Sequence, residues 1–202
     1  MTTTTIPHPE DKDLLQGASE LRLPPLLEKF TEEELLSQIP RDSPKEIYWD
    51  EVQVGDRVAV RIKVTWKWIL LFAMISGDYN PLHVDKQFAT TVGKRVFGGK
   101  NIAHGALCNA FLSGVNGYRL LGSGIYLHRK LEAQYLRAVK EGDEILAVSE
   151  IVEKYSEKIK GTERYFLKVS NRVYCIREDK LELAVDTPSI VGVLQKSRIM
   201  PT

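Results

Sequence analysis

The chain has 202 residues, 43% hydrophobic and 27% charged, with 28 basic against 27 acidic side chains and a formal net charge of +1. That is an ordinary globular composition, enough for one domain with an appendage. The balanced charge, without a long basic run, gives no electrostatic footing to a general nucleic-acid or anionic-membrane partner. The most apolar stretch, Trp68 to Ile75, is far too short to cross a bilayer. Cys108 and Cys175 are the two cysteines and lack metal-site spacing. With no secretory signal, the expected setting is the reducing cytoplasm, with both thiols free.

The first ten residues, MTTTTIPHPE, hold almost nothing to bury and are expected to be mobile. Thr31 to Ile39 reads as a short helix, with Thr31 as N-cap and Glu34 three positions on forming a capping box. Pro40 and Pro44 then break the chain. Residues 1–45 are therefore expected to be an extension, 46–195 the main domain and 196–202 a tail. From Arg57 to Thr65 the pattern alternates strictly. Val58, Val60, Ile62 and Val64 share one face, as in a strand on a core. Thr65 is placed to cap a helix from Trp66 to Ser76, which ends where Pro81 disfavours helical geometry at Asn80. A second short helix is expected over Lys86 to Thr91, followed by a glycine-rich loop.

A long apolar helix is predicted from Gly105 to Leu121. Ala106, Ala110, Gly114 and Gly117 recur along it at helical spacing, a small-residue stripe that would let a sheet approach closely. Asn109, Ser113 and Asn116 form a polar line, which on so apolar a helix needs partners or a function. Four strands follow, Ile125 to Ala138, Glu144 to Lys154, Arg164 to Ile176 and Leu181 to Leu194. Turn signals stand at Glu141-Gly142-Asp143, around Gly161 and at Glu178-Asp179. One strand, a buried helix and a run of antiparallel strands make an α+β fold with a sheet wrapped around the helix.

The chemistry concentrates in Phe72 to Ala89, FAMISGDYNPLHVDKQFA. Asp78 and His83 stand five residues apart with a helix end and an Asn-Pro turn between them. A continuous helix would separate them, whereas the break lets both turn toward one point, the minimum for general acid–base work on water. The same residues are also ordinary turn chemistry with a structural histidine. Spacing leaves both readings open.

The segment resembles the signature of MaoC-like (R)-specific enoyl-CoA hydratases, an aromatic followed by Ser-Gly-Asp-x-Asn-Pro-Leu-His and a small residue six positions on. Phe72, Ser76, Gly77, Asp78, Asn80, Pro81, Leu82, His83 and Ala89 fit it. Ala103-His104-Gly105 and Phe111-Leu112-Ser113-Gly114 resemble the family's second block at the right spacing. The likeness runs from about Tyr48 to Leu194, with Val54-Gly55-Asp56 and Glu141-Gly142-Asp143 inside it. It implies a hot-dog fold, an antiparallel sheet around a long central helix, in a homodimer with thioester sites at the interface. It also implies reversible hydration of a trans-2-enoyl-CoA, or of an acyl carrier protein thioester, to the (R)-3-hydroxyacyl form. No cofactor is implied, CoA being part of the substrate, and no metal.

By the same resemblance, Asp78 and His83 hold and activate the water, Ser113 supports the site, and the Gly105 amide binds the thioester oxygen. Asn80 is a turn residue that also serves the substrate-binding network. Helix physics independently supports the Gly105 role, because orphan amides and the dipole favour negative charge at a helix start. His104 is more readily packing or a cap than a second acid–base group, and Cys108 reads as a buried inert thiol. Trp66 and Trp68 are core candidates with an acyl tunnel as the alternative. Lys94, Arg95 and Lys100 are solvated or meet CoA phosphates. The loop from Thr91 to Ile102 and the N-terminal extension depart from the compact family pattern and leave acyl size open. A hot-dog thioesterase, which needs no Asp-x4-His pair, and a catalytically silent acyl-thioester-binding module are the competing readings.

Overall fold

The computed structural model describes residues 29, 31–37, 46–178 and 180–196. The reading of the first ten residues as mobile, and most of the C-terminal tail, lie outside them. Within the extension, helix α1 spans Glu32–Ser37 and buries no residue. Its capping box forms as the sequence requires: the Glu34 amide donates to Thr31 Oγ1 at 3.2 Å, and the Thr31 amide donates to Glu34 Oε2 at 2.8 Å.

Strand β1 (Arg57–Lys63) alternates between exposed and half-buried positions. Helix α2 (Trp66–Ser76) ends at Gly77, whose φ of 73° is a left-handed cap that glycine adopts without a Cβ penalty. Thr65 takes the N-cap position but its side chain makes no capping hydrogen bond, so its cap role is geometric only. Three short helices follow, α3 (Pro81–Val84), α4 (Lys86–Thr90) and α5 (Lys94–Phe97). The glycine-rich loop thus contains a helical turn the sequence reading lacked. The long helix comes in two parts, α6 (Gly105–Gly114) and a π-helical continuation, Val115–Leu120.

The remaining strands are β2 (Ile125–Leu131), β3 (Gln134–Tyr135), β4 (Glu144–Ile159), β5 (Thr162–Arg177), β6 (Lys180–Asp186) and β7 (Ser189–Val193). Among the described residues all pairings are antiparallel in one seven-stranded sheet, ordered β1-β4-β5-β6-β3, with β7 joining β5 to β2. β4 and β5 run longer than predicted and meet at Lys160-Gly161, both with positive φ, the geometry of a tight hairpin turn. The last predicted strand is two, because Pro188 carries no amide for a ladder and stands between β6 and β7.

The sheet wraps α6 on one side, in the helix-in-sheet form that a hot-dog fold describes. Leu107, Cys108, Leu112 and Val115 pack against Ile145, Ala147, Val173, Cys175 and Val185 in one apolar cluster. The small-residue stripe does not meet the sheet. Ala106, Ala110 and Gly114 are exposed, and a Cβ built on Gly114 or Gly117 meets nothing within 4 Å. Correcting the expectation, the larger apolar residues take the inward side, where burial is worth most, and leave the stripe outward.

Candidate active site

The end of α2 and the start of α6 meet at one point. Gly77 turns the chain out of α2, and Asn80 starts the next helix, its Oδ1 accepting from the Leu82 amide at 3.0 Å. Pro81 at the first helical position needs no amide partner there. The Asp78 backbone amide donates to Ser76 Oγ at 3.2 Å, and its Oδ1 accepts from the Asn80 amide at 3.2 Å. These contacts leave Asp78 Oδ2 free to face His83 Nε2, 3.8 Å away. Asp78 is half exposed, with 52% of its side chain accessible, and His83 keeps 12%.

The orientation of His83 is fixed from behind. Its Nδ1 lies 2.8 Å from the Ile102 carbonyl oxygen, which only accepts, so the ring proton sits on Nδ1. In the neutral ring Nε2 is then a bare lone pair turned toward Asp78, as a general base requires. Asn101, buried, donates to the Leu82 and Asp85 carbonyls at 3.2 and 3.0 Å and ties this loop to the histidine's short helix.

His104, immediately before α6, is 3% exposed and stacks on His83 with ring centroids 3.7 Å apart. Its side chain makes no capping hydrogen bond, so packing, not capping, is what the structure shows. Nε2 lies 3.0 Å from the Asp78 carbonyl oxygen and 3.9 Å from its carboxylate. Burial pushes its pKa down. The Asp78 carbonyl pulls the other way, and the neighbouring His83 adds to the lowering. The two rings and the Asp78 carboxylate come within 4.8 Å of one another, a group that could hold a metal. Near-parallel rings aim their in-plane lone pairs side by side, however, and the two nitrogens facing carbonyls are committed as donors. This makes the cluster a poor cage for an ion.

Gly105 opens α6 beside a cavity of about 530 Å³ lined by His83, Ile102, Gly105, Ala106, Tyr135 and Arg137, among others. First-turn amides have no intrahelical acceptor and favour an incoming oxygen. The Tyr135 ring lies so close to Gly105 that an added Cβ would sit 2.5 Å from it. Tyr135 is held by Asn109, whose Nδ2 donates to the phenolic oxygen at 2.8 Å and whose Oδ1 accepts from Thr187 Oγ1 at 3.1 Å. Sequence reasoning missed Tyr135 and Thr187. They stand 26 and 78 positions from Asn109, and no local pattern announces such contacts.

The predicted polar line divides into three environments. Asn109 makes this bridge, Asn116 is buried with an Oδ1 that has no partner among the described residues, and Ser113 is exposed. Among the described residues Ser113 has no hydrogen bond to Asp78 or His83, so a single chain brings Asp78, His83 and Gly105 together and leaves Ser113 apart. Asn80 is occupied as a helix cap. Trp68 is no core residue. It is 45% exposed and meets Phe111 edge-on at 5.3 Å in an apolar groove with Leu71 and Ile75. Cys108 is buried and inert, its thiol pushed up to about 12 by burial.

Comparison with known proteins shows the family to which the chain belongs. The family model described as "MaoC like domain" matches residues 51–171, more than half the chain. An (R)-specific enoyl-CoA hydratase of Rhodospirillum rubrum is 34% identical over 128 residues, 62% of this chain and 84% of that protein. A 3-hydroxybutyryl-CoA dehydratase of Methylorubrum extorquens is 27% identical over 156 residues, covering 77% of this chain and 89% of the relative. Among solved structures, an unliganded R-hydratase from Pseudomonas aeruginosa superposes with a TM-score of 0.60 at 28% identity, over 75% of this chain and 88% of that one.

Proposed function

We infer the reaction from membership: the chain belongs to the MaoC-like domain family, and it is a hydro-lyase that interconverts a 2-enoyl-CoA and the 3-hydroxyacyl-CoA. One observation carries the assignment of its chemistry to particular residues. Asp78 Oδ2 faces His83 Nε2 at 3.8 Å, and the Ile102 carbonyl behind the ring accepts from Nδ1, so that in the neutral imidazole Nε2 is the free lone pair.

Asp78 and His83 hold one water between them. As the water oxygen bonds to the β-carbon, His83 Nε2 takes a proton from it, and electron density moves through the α-carbon to the thioester oxygen. The Gly105 amide, with the α6 dipole behind it, receives that charge. One such donor contributes about 3 kcal/mol in the transition state. The proton then passes to the α-carbon, so the elements of water are added and the step balances without a redox cofactor. Asp78, accepting from the Asn80 amide through Oδ1, aims Oδ2 at the water. Ser113 completes the site from a second copy of the chain, since its own copy leaves it exposed and, among the described residues, without a hydrogen bond to the pair. The family resemblance supports a homodimer and the (R) product. Two buried free thiols fit the cytoplasm, and no helix among the described residues is long and apolar enough to cross a membrane.

The test is hydration of crotonyl-CoA and a longer enoyl-CoA, followed by loss of the enoyl absorbance with the product's stereochemistry determined. Wild type is expected to give the (R)-alcohol. Asp78→Asn and His83→Ala each fall about a hundredfold or more in kcat/KM. Thiol release without loss of the enoyl group would make the protein a thioesterase instead. Turnover by both variants at the wild-type rate would remove the pair from the mechanism.

A further inference from the structure

We propose that His104 is a positioning residue for the hydration, holding Asp78 by its backbone so that the carboxylate faces His83. The proposal rests on the hydratase reading above. His104 is 3% exposed, so it offers almost no surface to an incoming substrate. It is clamped between Phe72, at 5.1 Å between ring centroids, and His83, at 3.7 Å with planes 26° apart. From that slot Nε2 reaches the Asp78 carbonyl oxygen at 3.0 Å. A carbonyl only accepts, so the proton is on Nε2.

The other nitrogen shows that this is more than packing. Nδ1 is buried and has no hydrogen-bond partner among the described residues. A buried lone pair without a donor costs stability, and phenylalanine in the same slot would avoid that cost while stacking equally well. What phenylalanine lacks is the N–H to Asp78. Protonating the ring would put an unpaired N–H at Nδ1 and a charge against the face of His83, and burial already favours the neutral form. Among the described residues, the titratable groups facing His104 are Asp78 and His83. A neutral imidazole with one committed proton is a fixed bracket, not a proton carrier. Asp78 needs such a bracket because its carboxylate is half exposed and, among the described residues, takes its hydrogen bond through Oδ1, from the amide of Asn80.

His104→Phe keeps the stack and loses the donor, whereas His104→Gln keeps a donor at about the Nε2 position and loses the ring. Positioning predicts that H104F falls at least about tenfold in kcat with KM within about twofold, and that H104Q recovers to within about threefold of wild type. Packing alone predicts the reverse order, with H104F the better enzyme, and that result would overturn the proposal. Both variants are compared below their unfolding temperatures. In ¹⁵N-histidine-labelled wild type, His104 is expected to show a protonated Nε2 and a bare Nδ1 at pH 7, a readout that needs neither a variant nor turnover. A protonated Nδ1 there also overturns the proposal. A wild type inert on every enoyl thioester, with the His104 signals as expected, defeats the hydratase reading; an active wild type matched by H104F defeats only the role of His104.

Discussion

At the scale of single residues, the site depends on which nitrogen of each histidine carries the proton, and two backbone carbonyls decide it. Ile102 faces Nδ1 of His83 and Asp78 faces Nε2 of His104, so two stacked rings end with opposite tautomers. Only one of the two bare lone pairs, that of His83, faces the carboxylate. The buried His104 has a further consequence for stability. Its pKa is lowered in the fold, chiefly by burial, while in the unfolded chain it returns to the ordinary imidazole value of about 6.5. Below that value the unfolded chain binds the proton more readily than the native one, so acid favours unfolding. This contribution is complete above about pH 6.5 and is lost as pH falls from there toward the lower folded value. Thermal unfolding between pH 8 and pH 5 is expected to show a steeper decline of Tm for wild type than for His104→Gln. Parallel curves would mean that His104 titrates alike in both states.

At the scale of elements, buried polar groups lock the sheet where its strands change partner. β5 pairs with β7 over Phe166 to Val169 and with β6 from Arg172 onward. Asn171 sits at that changeover, 1% exposed. Its Oδ1 accepts from Ser149 Oγ at 2.7 Å on β4, and its Nδ2 reaches the Thr187 carbonyl at 2.9 Å and Ser189 Oγ at 2.8 Å across the β6–β7 break. Asn171→Ala strands these groups in the dry interior, where each lost partner costs roughly 1–3 kcal/mol. A total loss of about 2–4 kcal/mol in urea unfolding is expected, and a change under 1 kcal/mol would show that water takes the amide's place. None of this network could be read from sequence, because its members are joined only by strand register. What could be read was local. α2 was foreseen from Trp66 to Ser76 as it stands, bounded by Thr65 and the Asn80-Pro81 break. The outer half of the β4–β5 hairpin was underestimated, since EKYSEKI is mostly charged and is held extended by pairing with β5 and by cross-strand contacts such as Tyr155 on Phe166, which lie outside its local pattern. Asp78 and His83 stood out because they fit the family signature, while the helix end and proline turn between them only permitted the two side chains to converge. Tyr135 did not, because it reaches Gly105 from another element.

For the whole molecule, the apolar surface that a single chain leaves open bears on assembly. Trp68, Leu71 and Ile75 are 45%, 40% and 60% exposed along a groove that continues onto Ala110, Phe111 and Gly114 of α6. Ser113 is exposed on the same helix. Sequence periodicity identified the small-residue stripe but could not tell a covering sheet from a covering partner, since either favours close backbone approach. With the sheet packed on the opposite side of α6, a second copy is the cover that fits the homodimer inferred from the family. A charge on the stripe separates the two states. In a lone chain Ala110→Glu places a carboxylate on an exposed helix face, where surface changes shift stability by only about 0.5 kcal/mol. In a dimer it buries an unpaired charge, at a cost of several kcal/mol. Light scattering after size exclusion is expected to give wild type at twice the 22.9 kDa of one chain and Ala110→Glu at the single-chain mass, with its secondary structure retained. Wild type at the single-chain mass would return Ser113 to an exposed position with no partner, and the site would then consist of Asp78, His83 and Gly105 alone.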